Sequence, residues 1–116
     1  MSLFDDSQKG LELLPTHVWL SAAMRQSNRN GVMVVLVRRG DADRGTVVVR
    51  VDQRDGLFRL YTRAYTMDDG VDWVSALDGA AVSQDKADAY IERSIARDPD
   101  LWVVDADDPT GANPFV

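Results

Sequence analysis

Apolar residues recur at helical spacing in two stretches of the chain and alternate or run together in the others. Trp19, Leu20, Ala23 and Met24, followed by Ser27, form one stripe of a 3.6-residue period. The spacing predicts a helix over 16–30. The Thr16 hydroxyl is its expected N-cap, and Gly31 after Asn30 its stop. Arg25 and Arg29 fall in the last turns, where cations suit the helix dipole. The run 32–37 (VMVVLV) is apolar at both parities, the pattern of a central strand covered on both faces. A polar loop between Gly40 and Gly45 suits a hairpin to a return strand over 46–51. There Val47, Val49 and Val51 face one way, and Thr46, Val48 and Arg50 the other. Asp55-Gly56 closes a second turn into a strand over 57–63. Phe58, Leu60 and Thr62 share one side of that strand, and Leu57, Arg59, Tyr61 and Arg63 the opposite side.

A loop over 65–70 leads to a strand over 71–76 that carries Trp73. Ser83 is placed to cap a second helix, with Asp85 in its first turn. Ala87, Tyr90, Ile91 and Ile95 form its apolar stripe, and Arg93 and Arg97 lie toward its C-terminal end. Asp98-Pro99 ends it, because the residue before proline is pushed out of helical geometry. A short strand over 101–104 and a turn-rich segment over 105–116 complete the chain. The expected class is α+β: an antiparallel sheet of about five strands, a three-strand meander plus two, with two helices packed on it. Residues 1–13 read as an N-terminal arm, 14–108 as a single domain and 109–116 as a C-terminal tail.

Composition narrows the chemistry. The 116 residues contain no cysteine and one histidine. Disulfides, thiolate metal sites and cysteine nucleophiles are excluded, and so is any site built from two imidazoles. No cofactor or metal is expected. No apolar run is long enough to span a bilayer, and the acidic N-terminus has the wrong sign for a signal peptide. A cytoplasmic protein away from membranes is the expectation.

The net charge is -6, and its distribution says more than its total. From Arg25 to Arg63 there are nine arginines against four aspartates, a balance of +5, whereas 64–116 holds three bases against twelve acids, a balance of -9. The basic block could serve a single-stranded nucleic acid if Arg50, Arg59, Tyr61 and Arg63 shared a face. An overall acidic chain argues against that use. Pairing of these arginines with the acidic second half is the simpler expectation.

Catalytic readings have little to build on. His17 could act as a base near neutrality, and Ser21 lies one turn on, but no orienting acid or nucleophile elbow accompanies them. Asp98 and Asp100, followed by Asp105, Asp107 and Asp108, could hold a cation or divide acid and base roles. Acids around a turn and a strand end are more simply solvated.

Four segments together resemble a known family. They are Leu14-Pro15-Thr16-His17-Val18-Trp19, Val37-Arg38-Arg39-Gly40-Asp41, Phe58-Arg59-Leu60-Tyr61 and Asp98-Pro99-Asp100-Leu101-Trp102-Val103. The chain from about Leu14 to Asp108 resembles the small bacterial proteins catalogued as domain of unknown function 1491. The resemblance implies a single cytoplasmic domain and brings no activity, ligand or catalytic residue with it.

What remains favours a non-catalytic binding or interaction module for an acidic protein partner or a small anion. Arg38, Arg39, Trp73, Arg93, Arg97 and Trp102 are its expected contact residues, because arginine suits planar anions and tryptophan suits hot spots. A homodimer through a sheet edge is the expected assembly. A small enzyme using Asp98/Asp100 or His17 is the alternative, and nucleic-acid binding through the Arg-rich hairpin the third.

Overall fold

The computed structural model describes residues 14–66 and 70–116. The N-terminal arm and the Asp68-Asp69 turn therefore lie outside the described residues. In chain order the elements are α1 (Thr16–Arg29), β1 (Met33–Arg38), β2 (Val47–Asp52), β3 (Leu57–Thr66), β4 (Gly70–Ser75), a 3-10 turn (Leu77–Gly79), β5 (Val82–Ser83), α2 (Gln84–Arg97) and β6 (Trp102–Asp107). The α+β class holds, with two helices on a six-stranded sheet among the described residues.

The strand order is β1-β6-β2-β3-β4, with β5 pairing the start of β3. β6 lies antiparallel to β1 and parallel to β2. The sheet is therefore mixed rather than antiparallel, and it has six strands rather than five. The three-strand meander exists, but it is β2-β3-β4. The loop between Gly40 and Gly45 closes no hairpin, because β6 separates β1 from β2.

The alternation read along β2 and β3 is confirmed by the packing. Val47, Val49 and Val51 point to the α1 side, where they meet Trp19, Leu20, Val34, Trp102, Val104 and Ala106. Val48 and Leu60 point to the other side and meet Ala76, Ala87, Ile91, Leu101 and Val103 beneath α2. Each helix thus covers one face, and β2 and β6 run buried through the middle. Burying both faces of two valine-rich strands is the main source of cohesion.

β1 reverses its expected role. It is an edge strand, in which only Val34 is buried, while Met33, Val35, Leu36 and Val37 are exposed. An apolar run at both parities has the same pattern whether its second face is covered by a helix or left open. The Thr16 cap is also corrected. Pro15 occupies the N-cap position of α1 with no side-chain cap. The buried Thr16 hydroxyl instead donates to the Gly45 carbonyl at 2.8 Å, tying the helix start to the 40–45 loop. Ser83 does cap α2, accepting from the Lys86 N–H at 3.3 Å. No helix among the described residues is long and apolar enough to cross a membrane.

Candidate functional site

The arginines of the basic block are largely engaged inside the fold. Arg50 donates to both carboxylate oxygens of Asp105 at 3.0 Å and also reaches Asp88. Arg54 pairs with Asp107 at 2.7 Å. Arg59 donates to Gln53 and to the Gly79 carbonyl, and the Arg63 guanidinium lies 3.9 Å above the Trp19 ring. Strand register also divides the expected nucleic-acid face. Tyr61 and Arg59 pair with Val49 and Val51, while Arg50 pairs with Leu60, so Arg50 projects from the opposite side of the sheet.

Arg38, Arg39 and Trp102 belong to one structural clasp. Arg38 Nη1 donates to the Pro99 and Leu101 carbonyls at 2.9 and 2.6 Å. The Asp41 N–H donates to the Asp100 carbonyl at 2.9 Å, and Trp102 Nε1 donates to the Asp41 carbonyl at 2.7 Å. Arg39 stacks over the Trp102 indole at 5.4 Å. Trp102 itself is only 3% exposed. The RRGD and DPDLW segments thus bind each other, and an alanine at Arg38 tests stability before it tests recognition.

Asp98 and the histidine of the enzymatic alternative have structural partners as well. Asp98 accepts from the Thr46 hydroxyl at 2.9 Å and from the Asp100 N–H at 3.1 Å, shaping the turn after α2. His17 Nδ1 lies 3.0 Å from the Ala42 carbonyl, and Ser21 donates to the His17 carbonyl within the helix. None of the cavities described below is lined by Asp98, Asp100 or His17.

Trp73 lies elsewhere, half-buried on β4. It packs edge-on against Trp19 at 6.4 Å and against Phe115 at 5.9 Å. With Tyr61, Ser75, Ala112, Asn113 and Val116 it lines a pocket of about 370 Å³.

Arg93 and Arg97 occupy a third place, on the outer side of α2. Two pockets adjoin there and share Leu77 and Arg93. One, of about 500 Å³, adds Tyr90, Ala96 and Arg97. The other, of about 310 Å³, adds Asp78, Val82, Lys86 and Ala89. Lys86, Tyr90, Arg93 and Arg97 are spaced by four, three and four residues, so they stand on one helical face. Among the described residues no carboxylate pairs with the side chains of Lys86, Arg93 or Arg97. Two guanidinium groups one turn apart cost a helix a few tenths of a kcal/mol, and their position toward its C-terminal end offsets part of that.

The opposite wall of this groove is strained. Leu77 and Asp78 both hold positive φ, at 54° and 57°, a region that costs a branched, non-glycine residue about 1–3 kcal/mol. Leu77 lines both pockets. The structure therefore does not unite the six expected contact residues: it places Arg93 and Arg97 in an open groove, Arg38, Arg39 and Trp102 in the clasp, and Trp73 in an aromatic cluster. Lys86 and Leu77 were missed. The spacing of Lys86 from Arg93 and Arg97 was a usable signal, whereas the backbone of Leu77 left none.

The family model described as "Protein of unknown function (DUF1491)" matches residues 14–116, extending past Asp108 to the last residue. A crystal structure of a DUF1491 family protein from Caulobacter crescentus CB15 is 35% identical, with a TM-score of 0.77 over 90% of this chain and 95% of that one. An NMR structure of a DUF1491 family protein from the same organism gives 35% identity and a TM-score of 0.74, covering 88% and 92%. A solution structure of a protein from A. tumefaciens is 27% identical, with a TM-score of 0.69 over 82% and 86%. No curated protein matches the chain. With all of the described residues matched in sequence, and a 35% identical relative matched in structure, this protein belongs to the DUF1491 family.

Proposed function

We propose that this chain is a small non-catalytic binding module of the cytoplasm, and that it takes an acidic partner or small anion in the groove between α2 and the 3-10 turn. The observation that carries this is the set Lys86, Arg93 and Arg97. In a chain of net charge -6, these three cations line one cavity system and, among the described residues, have no carboxylate partner. Elsewhere the fold neutralises Arg50 and Arg54 with its own acids. Guanidinium forks suit carboxylate or phosphate oxygens, and Leu77, Tyr90 and Ala96 offer apolar contact beside them. The absence of cysteine fits a reducing compartment. The proposed assembly is a homodimer through a sheet edge.

The test is a titration of labelled protein with inorganic phosphate and, separately, with an acidic hexapeptide, followed by amide chemical shifts. Shifts are expected at 77–79 and along 86–97, and not at Trp73. The Arg93→Ala/Arg97→Ala double variant should weaken binding by about tenfold or more, with unchanged melting. Equal affinity in that variant, or shifts confined to the Trp73 pocket, would remove the groove as the site.

A further inference from the structure

We infer that β1 is the pairing edge of a homodimer, in which two copies join their sheets antiparallel about a twofold axis at Val35. β1 ends the strand order, so one side of its backbone faces away from β6. The Val34 N–H identifies that side. It donates to the Asn28 side chain at 3.2 Å rather than to a strand. Alternation along an antiparallel ladder then places the N–H and C=O of Leu36 on the same open side.

Side chains along this edge are apolar and, among the described residues, uncovered. Met33 is 65% exposed, Val35 52%, Leu36 41% and Val37 53%. Edge strands are ordinarily guarded by charge, proline or a bulge. Here 32–37 contains neither charge nor proline. The edge has two partial guards: a register irregularity between Leu36 and Arg38, near the C-terminal end of the strand, and Asn28, which covers one amide.

A second copy fits this edge better than an unrelated strand because the segment is its own complement. Pairing about Val35 sets Val35 against its mate, Met33 against Val37 and Val34 against Leu36. Every opposed pair is apolar, and Arg38 falls outside the paired segment. The Val34–Leu36 pairs exchange backbone bonds once the exposed Asn28 side chain swings away. Charge gives the same answer. Two copies of net charge -6 repel, so contact is least costly on a neutral strand. The other sheet edge, β4, carries the exposed Asp72 mid-strand, and self-pairing there would bring like charges together.

The twofold axis stands perpendicular to the sheet, so the faces are preserved. Val34 points to the α1 side, hence Met33, Val35 and Val37 lie on the α2 side. Both α2 helices then sit on one face of a continuous sheet. The dimer does not depend on the anion-binding proposal. If both hold, the assembly presents two grooves in one direction, and a partner with two acidic segments would gain avidity.

Sedimentation velocity from about 1 µM to 1 mM tests the inference. The wild-type chain should dimerise within that range. Val35→Lys places two ammonium groups in opposition and should raise the dissociation constant by at least about tenfold, with its circular dichroism unchanged. Asn28→Ala frees the Val34 amide and should tighten the dimer. Val74→Lys on the β4 edge and Arg93→Ala/Arg97→Ala should leave it unchanged, so failure of the groove and failure of the dimer are read separately. A wild-type chain that stays monomeric throughout overturns the inference, as does a dimer that Val74→Lys dissociates and Val35→Lys does not.

Discussion

Gly40→Ala should destabilise the domain by about 3 kcal/mol or more, a large part of the stability of a chain this size. A Cβ at Gly40 would lie 2.0 Å from the Asp100 carbonyl oxygen and 2.7 Å from both the Leu101 carbonyl carbon and Trp102 Cδ1. Two of these are backbone atoms, and they cannot retreat. The Asp41 N–H holds the Asp100 carbonyl, and Trp102 Nε1 holds the Asp41 carbonyl. Gly45 meets the same wall, at 2.3 Å from the Asp100 oxygen and 2.6 Å from Trp102 Cδ1, so Gly45→Ala should cost a similar amount. Neither glycine has positive φ, so the demand is for space alone. Urea midpoints measure the effect. A Gly40→Ala protein that melts within about 2 °C of wild type would show the clasp to be soft.

The second large effect is expected at Arg50. Its guanidinium joins three elements: β2 carries it, β6 supplies Asp105 and α2 supplies Asp88. The Phe58 ring lies 5.9 Å beneath it. The Asp105 hydrogen bond, with the field of both acids, outweighs partial burial and raises the Arg50 pKa above its ordinary value. For a raised cation the contribution is complete below the unfolded value and fades only as pH climbs through the folded one, so at working pH it is constant. Arg50→Ala leaves Asp88 and Asp105 without their shared cation and should cost about 2 kcal/mol, less than a fully buried pair because both acids are about 40% exposed. Arg50→Lys should recover part of the loss, since an ammonium cannot form the two-pronged contact. In a double-mutant cycle with Asp105→Ala, a coupling of about 1 kcal/mol or more is expected. Coupling near zero would reduce the pair to a solvated surface contact.

Both effects trace back to what could and could not be read along the chain. The helices were legible because their stripes and stops are local: Ser83, Asp98-Pro99 and the 87–95 stripe act within a few residues. Face alternation in β2 and β3 was legible for the same reason. Strand order was not. Whether β1 neighbours β2 depends on Trp102–Asp107, more than sixty residues away, and the short polar loop at 40–45 matched a hairpin by length alone. Its glycines serve the Trp102 indole instead. At the candidate site, Arg93 and Arg97 were visible as a pair on one helix. The strained Leu77 that faces them was not, because a positive φ at leucine is imposed by surrounding packing and has no compositional trace.

The position of β6 has a consequence for how the molecule is made. The strand that separates β1 from β2 is Trp102–Asp107, so the sheet cannot close before β6 has been made. Until then β1 and β2 are two valine-rich ribbons with a vacant slot between them, and a direct hairpin across the 40–45 loop is the nearest wrong solution. Pairings at such long sequence separation form slowly and leave sticky intermediates exposed. A strand from the middle of the sheet is thus also the last of the described strands to be made.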